Sequence, residues 1–104
     1  MDQEAILRRI KALLLGVHGD RLQGVVLYGS VARGEESDNS DIDVLVLLTG
    51  PVRFGPDLEK NIQALYPLSL ELGHPISAKP VDEERYRSFV CPLFESAKRE
   101  GIRV

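Results

Sequence analysis

Cysteine is almost absent from this chain of 104 residues, Cys91 being the only one. A lone thiol excludes an internal disulfide and any zinc site built on several cysteines, and leaves Cys91 to be read as a small buried hydrophobe. Histidine is as sparse: His18 and His74 stand far apart with no ligand pattern beside either, which gives no zinc site. An excess of positive charge is also missing. Thirteen Lys and Arg against sixteen Asp and Glu leave a net charge of -3, which argues against broad, sequence-independent binding along a nucleic-acid backbone. No apolar run is long enough to predict a membrane span, and the opening Met1-Asp2-Gln3-Glu4 is acidic where a signal peptide needs positive charge. A cytoplasmic protein with no membrane partner is therefore expected. Repeats, linkers and low-complexity segments are lacking as well.

What is there is ordinary globular composition, 43% hydrophobic and 28% charged, in a length that suits one domain with one core. Apolar residues at Ile6, Leu7, Ile10, Leu13, Leu14 and Val17 predict a first helix over Gln3 to Val17. Val25-Val26-Leu27-Tyr28, bounded by Gly24 and Gly29, predicts a buried strand. A short helical turn through Val31-Ala32-Arg33, capped by Ser30, and a polar loop from Gly34 to Ser40 follow. Ile42 to Leu48 is the most apolar segment and predicts a central strand buried on both faces. A second long helix opens at Pro56-Asp57, and Pro67 is expected to kink or divide it before Gly73. Pro75 to Val81 predicts a third strand, placed at an edge because Pro80 has no amide donor. Asp82-Glu83-Glu84 then suits a helix N-terminus, and Pro92 restarts the chain as a last helix ending near Gly101. The order of elements predicts an α/β (α+β) domain, a small mixed sheet flanked by helices.

The stretch from Gly29 to Asp43 carries the chemistry. Strand side chains alternate between faces, so Asp41 and Asp43 point the same way while Ile42 points into the opposite layer. Two carboxylates at the start of an otherwise apolar strand repel each other and lose solvation unless a cation or donors compensate them. Oxygen-only ligands favour hard Mg²⁺ or Mn²⁺, whose remaining coordination is commonly filled by water and substrate phosphate oxygens. Gly29 lets the backbone turn tightly and lets a phosphate approach the main chain, and Ser30 adds a hydroxyl. Arg33 is a candidate phosphate contact, although an outward, solvated arginine on a short turn is the plainer reading.

Gly29-Ser30, the Ala32-Arg33-Gly34 flank, a polar spacer and Ser40-Asp41-Ile42-Asp43 together resemble the signature of nucleotidyltransferases related to DNA polymerase beta. The chain is specifically similar to the minimal nucleotidyltransferases, sharply over Val25 to Leu48 and in element order over the whole length. The resemblance implies one nucleotidyltransferase-like domain over 1–104. It implies that Gly29 and Ser30, with Arg33, hold the phosphates of a nucleoside triphosphate, with ATP as the donor. Asp41 and Asp43 are then the catalytic carboxylates and the ligands of Mg²⁺ or Mn²⁺. It further implies transfer of AMP to an acceptor hydroxyl, and a small helical HEPN-type partner protein for which the chain is the antitoxin.

One departure from the family pattern stands out. Members commonly supply a third carboxylate from a following strand, but Pro75-Ile76-Ser77-Ala78-Lys79-Pro80-Val81 contains no acid. Glu71 just before it and Asp82 just after it are the alternatives, and Lys79 reads either as a phosphate contact or as an exposed strand lysine. The departure keeps a second reading open, that of a catalytically weak or inactive module that binds a nucleotide or a partner. The segment Phe94 to Val104 is a candidate partner surface, with core packing as the other explanation of Phe94 and Ile102.

Overall fold

A computed structural model describes residues 2–104. Helix α1 (Gln3–His18) starts where the Asp2 carboxylate accepts the Ala5 amide at 3.1 Å, and its apolar stripe buries Leu7, Ile10 and Leu14. A 3₁₀ turn (Gly19–Arg21) leads into strand β1 (Leu22–Tyr28), the short helix α2 (Gly29–Ala32) and strand β2 (Ile42–Leu48). Helix α3 (Phe54–Leu72) returns the chain to strand β3 (Ile76–Asp82), and α4 (Glu83–Ser88), α5 (Pro92–Glu100) and the two-residue strand β4 (Ile102–Arg103) complete it.

The four strands form a mixed sheet in the order β3-β2-β1-β4. Strand β2 is antiparallel to β1 and parallel to β3, as expected for strands joined by a loop and by a helical crossover respectively. Its sequence is apolar on both sides because both sides are covered. Ile42, Val44, Val46 and Leu48 face α1 and α3, among Leu7, Ile10, Leu14, Leu65 and Leu68, while Leu45 and Leu47 pack with Tyr86, Phe94 and Ala97 from α4 and α5. Full burial of each such side chain is worth about 1.5–3 kcal/mol. Coverage differs between the two faces. Helices α1 and α3 close the first face from Ile42 to Leu48, all fully buried on that side, whereas on the second face Tyr28, Asp43 and Ser77 remain half-buried.

The polar side chains enclosed below the first face are joined to partners, although His18 Nδ1 itself has none. Asn61, fully buried, donates from Nδ2 to the Ala78 carbonyl at 2.9 Å, so His18 Nε2, at 2.6 Å, donates to the Asn61 Oδ1. Asp57 is buried and accepts Arg21 on both oxygens at 2.9 and 3.0 Å, with the Arg53 amide as a third donor.

Two elements differ from the sequence expectation. Helix α3 is continuous, with Pro67 inside it. Pro67 lies on the exposed side, where water can serve the carbonyl that loses its donor, while Leu65 and Leu68 hold the helix to the core. Strand β4, which no periodicity announced, pairs with the edge of β1 through Leu27↔Ile102 and Val26↔Arg103. It uses the C-terminal segment inside the fold: Phe94 and Ala97 are buried and Ile102 is in the sheet. Pro80 sits on the edge strand as anticipated.

Candidate active site

The site is assembled by strand register. Tyr28 of β1 pairs with Asp43 of β2, and Asp43 pairs with Ser77 of β3, so the three side chains form one row across the second face. The next row is Val26, Leu45 and Lys79. Only the first row and Lys79 lie at the uncovered end.

Immediately after Tyr28 the chain turns at Gly29, whose φ of 79° is a left-handed value that disfavours any side chain. The turn brings the main chain against the acid: a Cβ on Gly29 would lie 2.7 Å from Asp43 Oδ2. Helix α2 is pinned by Val31, which enters the α1–α3 core, and by Gln3, whose Nε2 donates to the Val31 carbonyl at 2.8 Å. The Glu35 amide donates to the Ser30 carbonyl at 2.8 Å, fixing the exit of the turn. Asp41 is clamped from both sides. Its predecessor's carbonyl, Ser40 O, accepts from His74 Nδ1 at 2.8 Å, and the Ile42 amide donates to the Pro75 carbonyl at 2.8 Å. His74 carried no sequence signal for this task, because it stands 34 residues from Ser40.

Electrostatics bear the mark of two crowded carboxylates. Burial pushes the Asp43 carboxyl above the ordinary aspartate range, the negative charge of Asp41 pushes it further, and the positive charge of Lys79 opposes both. Burial likewise raises the Tyr28 hydroxyl, with Lys79 opposing through its charge and through hydrogen bonding and Asp43 adding to the rise. Tyr28, Asp43 and Lys79 therefore feel one another directly. Gly29, Ser30, Asp41 and Asp43 come together here; Arg33 is at the rim, exposed, and engaged by Glu35 at 3.1 Å and Glu100 at 3.6 Å.

Neither alternative acid reaches the row. Glu71 is bound to Arg9 at 2.6 and 3.1 Å between α3 and α1, on the other side of the sheet. Asp82 is at the far end of β3, opposite Leu48, where it caps α4 through the Glu84 and Arg85 amides. The positions beside Asp43 on β3 belong to Ser77 and Lys79. Among the described residues no group of three or more His, Cys, Asp and Glu converges. An aspartate raised by burial and by the charge of a neighbouring aspartate nevertheless suits one hard divalent ion whose remaining ligands are water and phosphate oxygens.

The family model of the nucleotidyltransferase domain matches residues 6–100. The chain belongs to the nucleotidyltransferase domain family. A Methanocaldococcus jannaschii protein bearing the name "Putative protein adenylyltransferase MJ0604" is 30% identical over 104 residues, spanning 100% of this chain and 98% of that one. A second protein of that organism, "Putative protein adenylyltransferase MJ0141", is 40% identical over 48 residues, 46% of this chain and 48% of its own, so the match spans about half of that relative. Among solved structures, the complex of tri-AMPylated Shewanella oneidensis HEPN toxin with MNT antitoxin contains a chain of the same fold. The TM-score is 0.62 at 21% identity, covering 97% of this chain and 70% of that one. No helix among the described residues is long and apolar enough to cross a membrane.

Proposed function

We propose that this nucleotidyltransferase binds ATP with Mg²⁺ or Mn²⁺ and transfers AMP to a hydroxyl on a partner protein of the HEPN kind, as the antitoxin of such a pair. The observation that carries the reading is the close approach of Asp43 to the Gly29 turn, with the charge of Asp41 acting on Asp43: a Cβ on Gly29 would lie 2.7 Å from Asp43 Oδ2, so the acids stand beside a turn that takes no side chain. Gly29 and Ser30 hold the phosphates, and Asp41 and Asp43 hold the metal. A bound divalent ion would draw charge from the phosphates and stabilise the leaving oxygen. Arg33 has a secondary part, since a phosphate has to compete for it with Glu35 and Glu100.

In the transfer, the acceptor oxygen bonds to the α-phosphorus, the bond from that phosphorus to the bridging oxygen breaks, and pyrophosphate leaves. The hydroxyl proton passes to water, as no third carboxylate stands in the row to receive it. Orientation by the Gly29 turn and electrostatic stabilisation supply the catalysis. The AMP-bearing HEPN toxin of the Shewanella complex supports both the group transferred and the kind of acceptor. An uncovered apolar line on α3, made by Ile62, Tyr66 and Leu70 at four-residue spacing, gives a partner protein a surface to meet.

The absence of an acid at Ser77 and Lys79 favours a second reading, a module that binds nucleotide and partner with little transfer. One experiment separates the two. Incubation with Mg²⁺, labelled ATP and the protein encoded beside it should add AMP to that protein, and Asp43→Asn should abolish the addition. Transfer that survives the substitution refutes the catalytic assignment, and metal-dependent ATP binding without any modified protein establishes the second reading.

A further inference from the structure

On β3 the position directly beside Asp43 is Ser77, and the next position on the same face is Lys79, level with Leu45. A carboxylate at either place would make a third acid convergent with Asp41 and Asp43. Instead the row offers a neutral hydroxyl and a cation. Lys79 is exposed at the edge strand, and its charge acts on both Asp43 and the Tyr28 hydroxyl.

We infer that Lys79 takes the place of a second metal ion, so that the site holds one divalent ion on Asp41 and Asp43 and meets the nucleotide's phosphates with the Lys79 ammonium. Charge balance argues for it. The two aspartates carry two negative charges, which one divalent ion neutralises, and Ser77 adds no third acid to attract another. A second divalent ion on the β3 side would also have to sit against an ammonium group, in a half-buried position where like charges are poorly screened. Lysine is suited to the task because its ammonium is a compact point charge on a flexible stem, able to reach a phosphate oxygen from the edge strand. Substrate class follows: a ligand with several phosphates gains from both the ion and the ammonium, whereas a nucleoside monophosphate gains from one of them.

The inference rests on the nucleotide-binding reading above, and the test keeps the two apart. Mn²⁺ is titrated onto the full chain with an ATP analogue whose α–β bridge cannot be cleaved, bound ion being counted by the loss of the free Mn²⁺ electron-paramagnetic signal, and analogue affinity measured by calorimetry. The wild-type complex is expected to hold one Mn²⁺ per nucleotide and Lys79→Asp to hold two. Lys79→Ala should weaken analogue binding about tenfold, equivalent to ~1.4 kcal/mol, with Lys79→Arg retaining most of the affinity, and thermal unfolding confirming that each variant folds. Two ions on the wild type, one ion on Lys79→Asp, or unchanged affinity in Lys79→Ala would overturn the inference and leave nucleotide binding standing. A wild-type chain that binds no analogue would overturn both.

Discussion

The two faces of one sheet are put to different uses. On the first, α1 and α3 seal Ile42, Val44, Val46 and Leu48, and every enclosed polar side chain that anchors them, Asn61 and Asp57 included, has a partner. On the second, α4 and α5 cover Leu45 and Leu47 and stop short of Tyr28, Asp43 and Ser77. The same strand therefore puts its apolar residues into the core and leaves one acid at the open end. Asp57 shows how an acid is kept when stability is the purpose, held well below the usual carboxylate range chiefly by its hydrogen bonds to Arg21. Asp43 is raised instead, by burial first and by Asp41 second. A carboxylate left in that state is poised for a ligand.

The sharpest way to break this contrast is to change two residues that share one side of β2. Leu45→Ala removes a fully buried side chain and should cost about 2–5 kcal/mol in denaturant unfolding. Asp43→Asn should leave the unfolding midpoint at neutral pH equal or higher. The folded carboxyl binds its proton more tightly than the unfolded one, so the charged form costs stability above the folded pKa. The same substitution should lower AMP transfer by about 10²–10³-fold, the scale of losing a main electrostatic contact to the transition state. A large loss of stability in Asp43→Asn would place that acid with the structural group.

How much of this was legible beforehand depends on whether a feature is local. Ile42 to Leu48 was readable to the residue, because a run of Val and Leu that long has few other fates. The Gly29-Ser30 turn and Asp43 on β2 were readable as well, whereas Asp41 lies just before the strand and acts on Asp43 through its charge. The neighbours of Asp43 were not, for Ser77 and Lys79 reach it only through the parallel register of β2 and β3, which no local pattern specifies. His74 under Ser40 is likewise a product of the crossover, and a two-residue strand such as β4 is too short to have a period. Pro67 was expected to interrupt α3 because propensity is local, while the packing of Leu65 and Leu68 that overrides it is not.

The acids of the two faces should also part company in acid. The Asp57 carboxyl is depressed on folding, so its contribution is fully present above the unfolded carboxylate pKa of about 3.9 and is lost as pH falls through the folded value. Asp57→Asn should accordingly cost about 1–3 kcal/mol at neutral pH, the cost of disrupting a buried charged pair, and should flatten the acid limb of a stability-against-pH curve. Acid acts on Asp43 in the opposite sense, since protonation relieves the cost of its charge. An unchanged acid limb in Asp57→Asn would show that its pair with Arg21 is not what acid disrupts.

Two glycines sharpen the comparison at smaller scale. Gly29 and Gly73 have nearly the same φ, 79° and 71°, but a Cβ at Gly73 meets nothing within 4 Å whereas one at Gly29 meets Asp43. Both Gly→Ala changes should cost about 1–2 kcal/mol for the left-handed conformation. Only Gly29→Ala should also weaken binding of an ATP analogue, measured by calorimetry. Equal analogue affinity in the two variants would show that phosphate does not approach the Gly29 turn.

The smallest effect is expected at Glu71, and its smallness is informative. This acid lies close in sequence to β3, yet its carboxylate is exposed, paired with exposed Arg9, and separated from Asp43 by the sheet. Glu71→Gln should therefore leave analogue affinity, Mn²⁺ count and AMP transfer at wild-type values, with thermal unfolding little moved because exposed ion pairs contribute little. A tenfold fall in Mn²⁺ affinity in this variant would mean that α3 rearranges to bring a third acid to the open face, and the division of labour between the two faces would then hold only for the ligand-free protein.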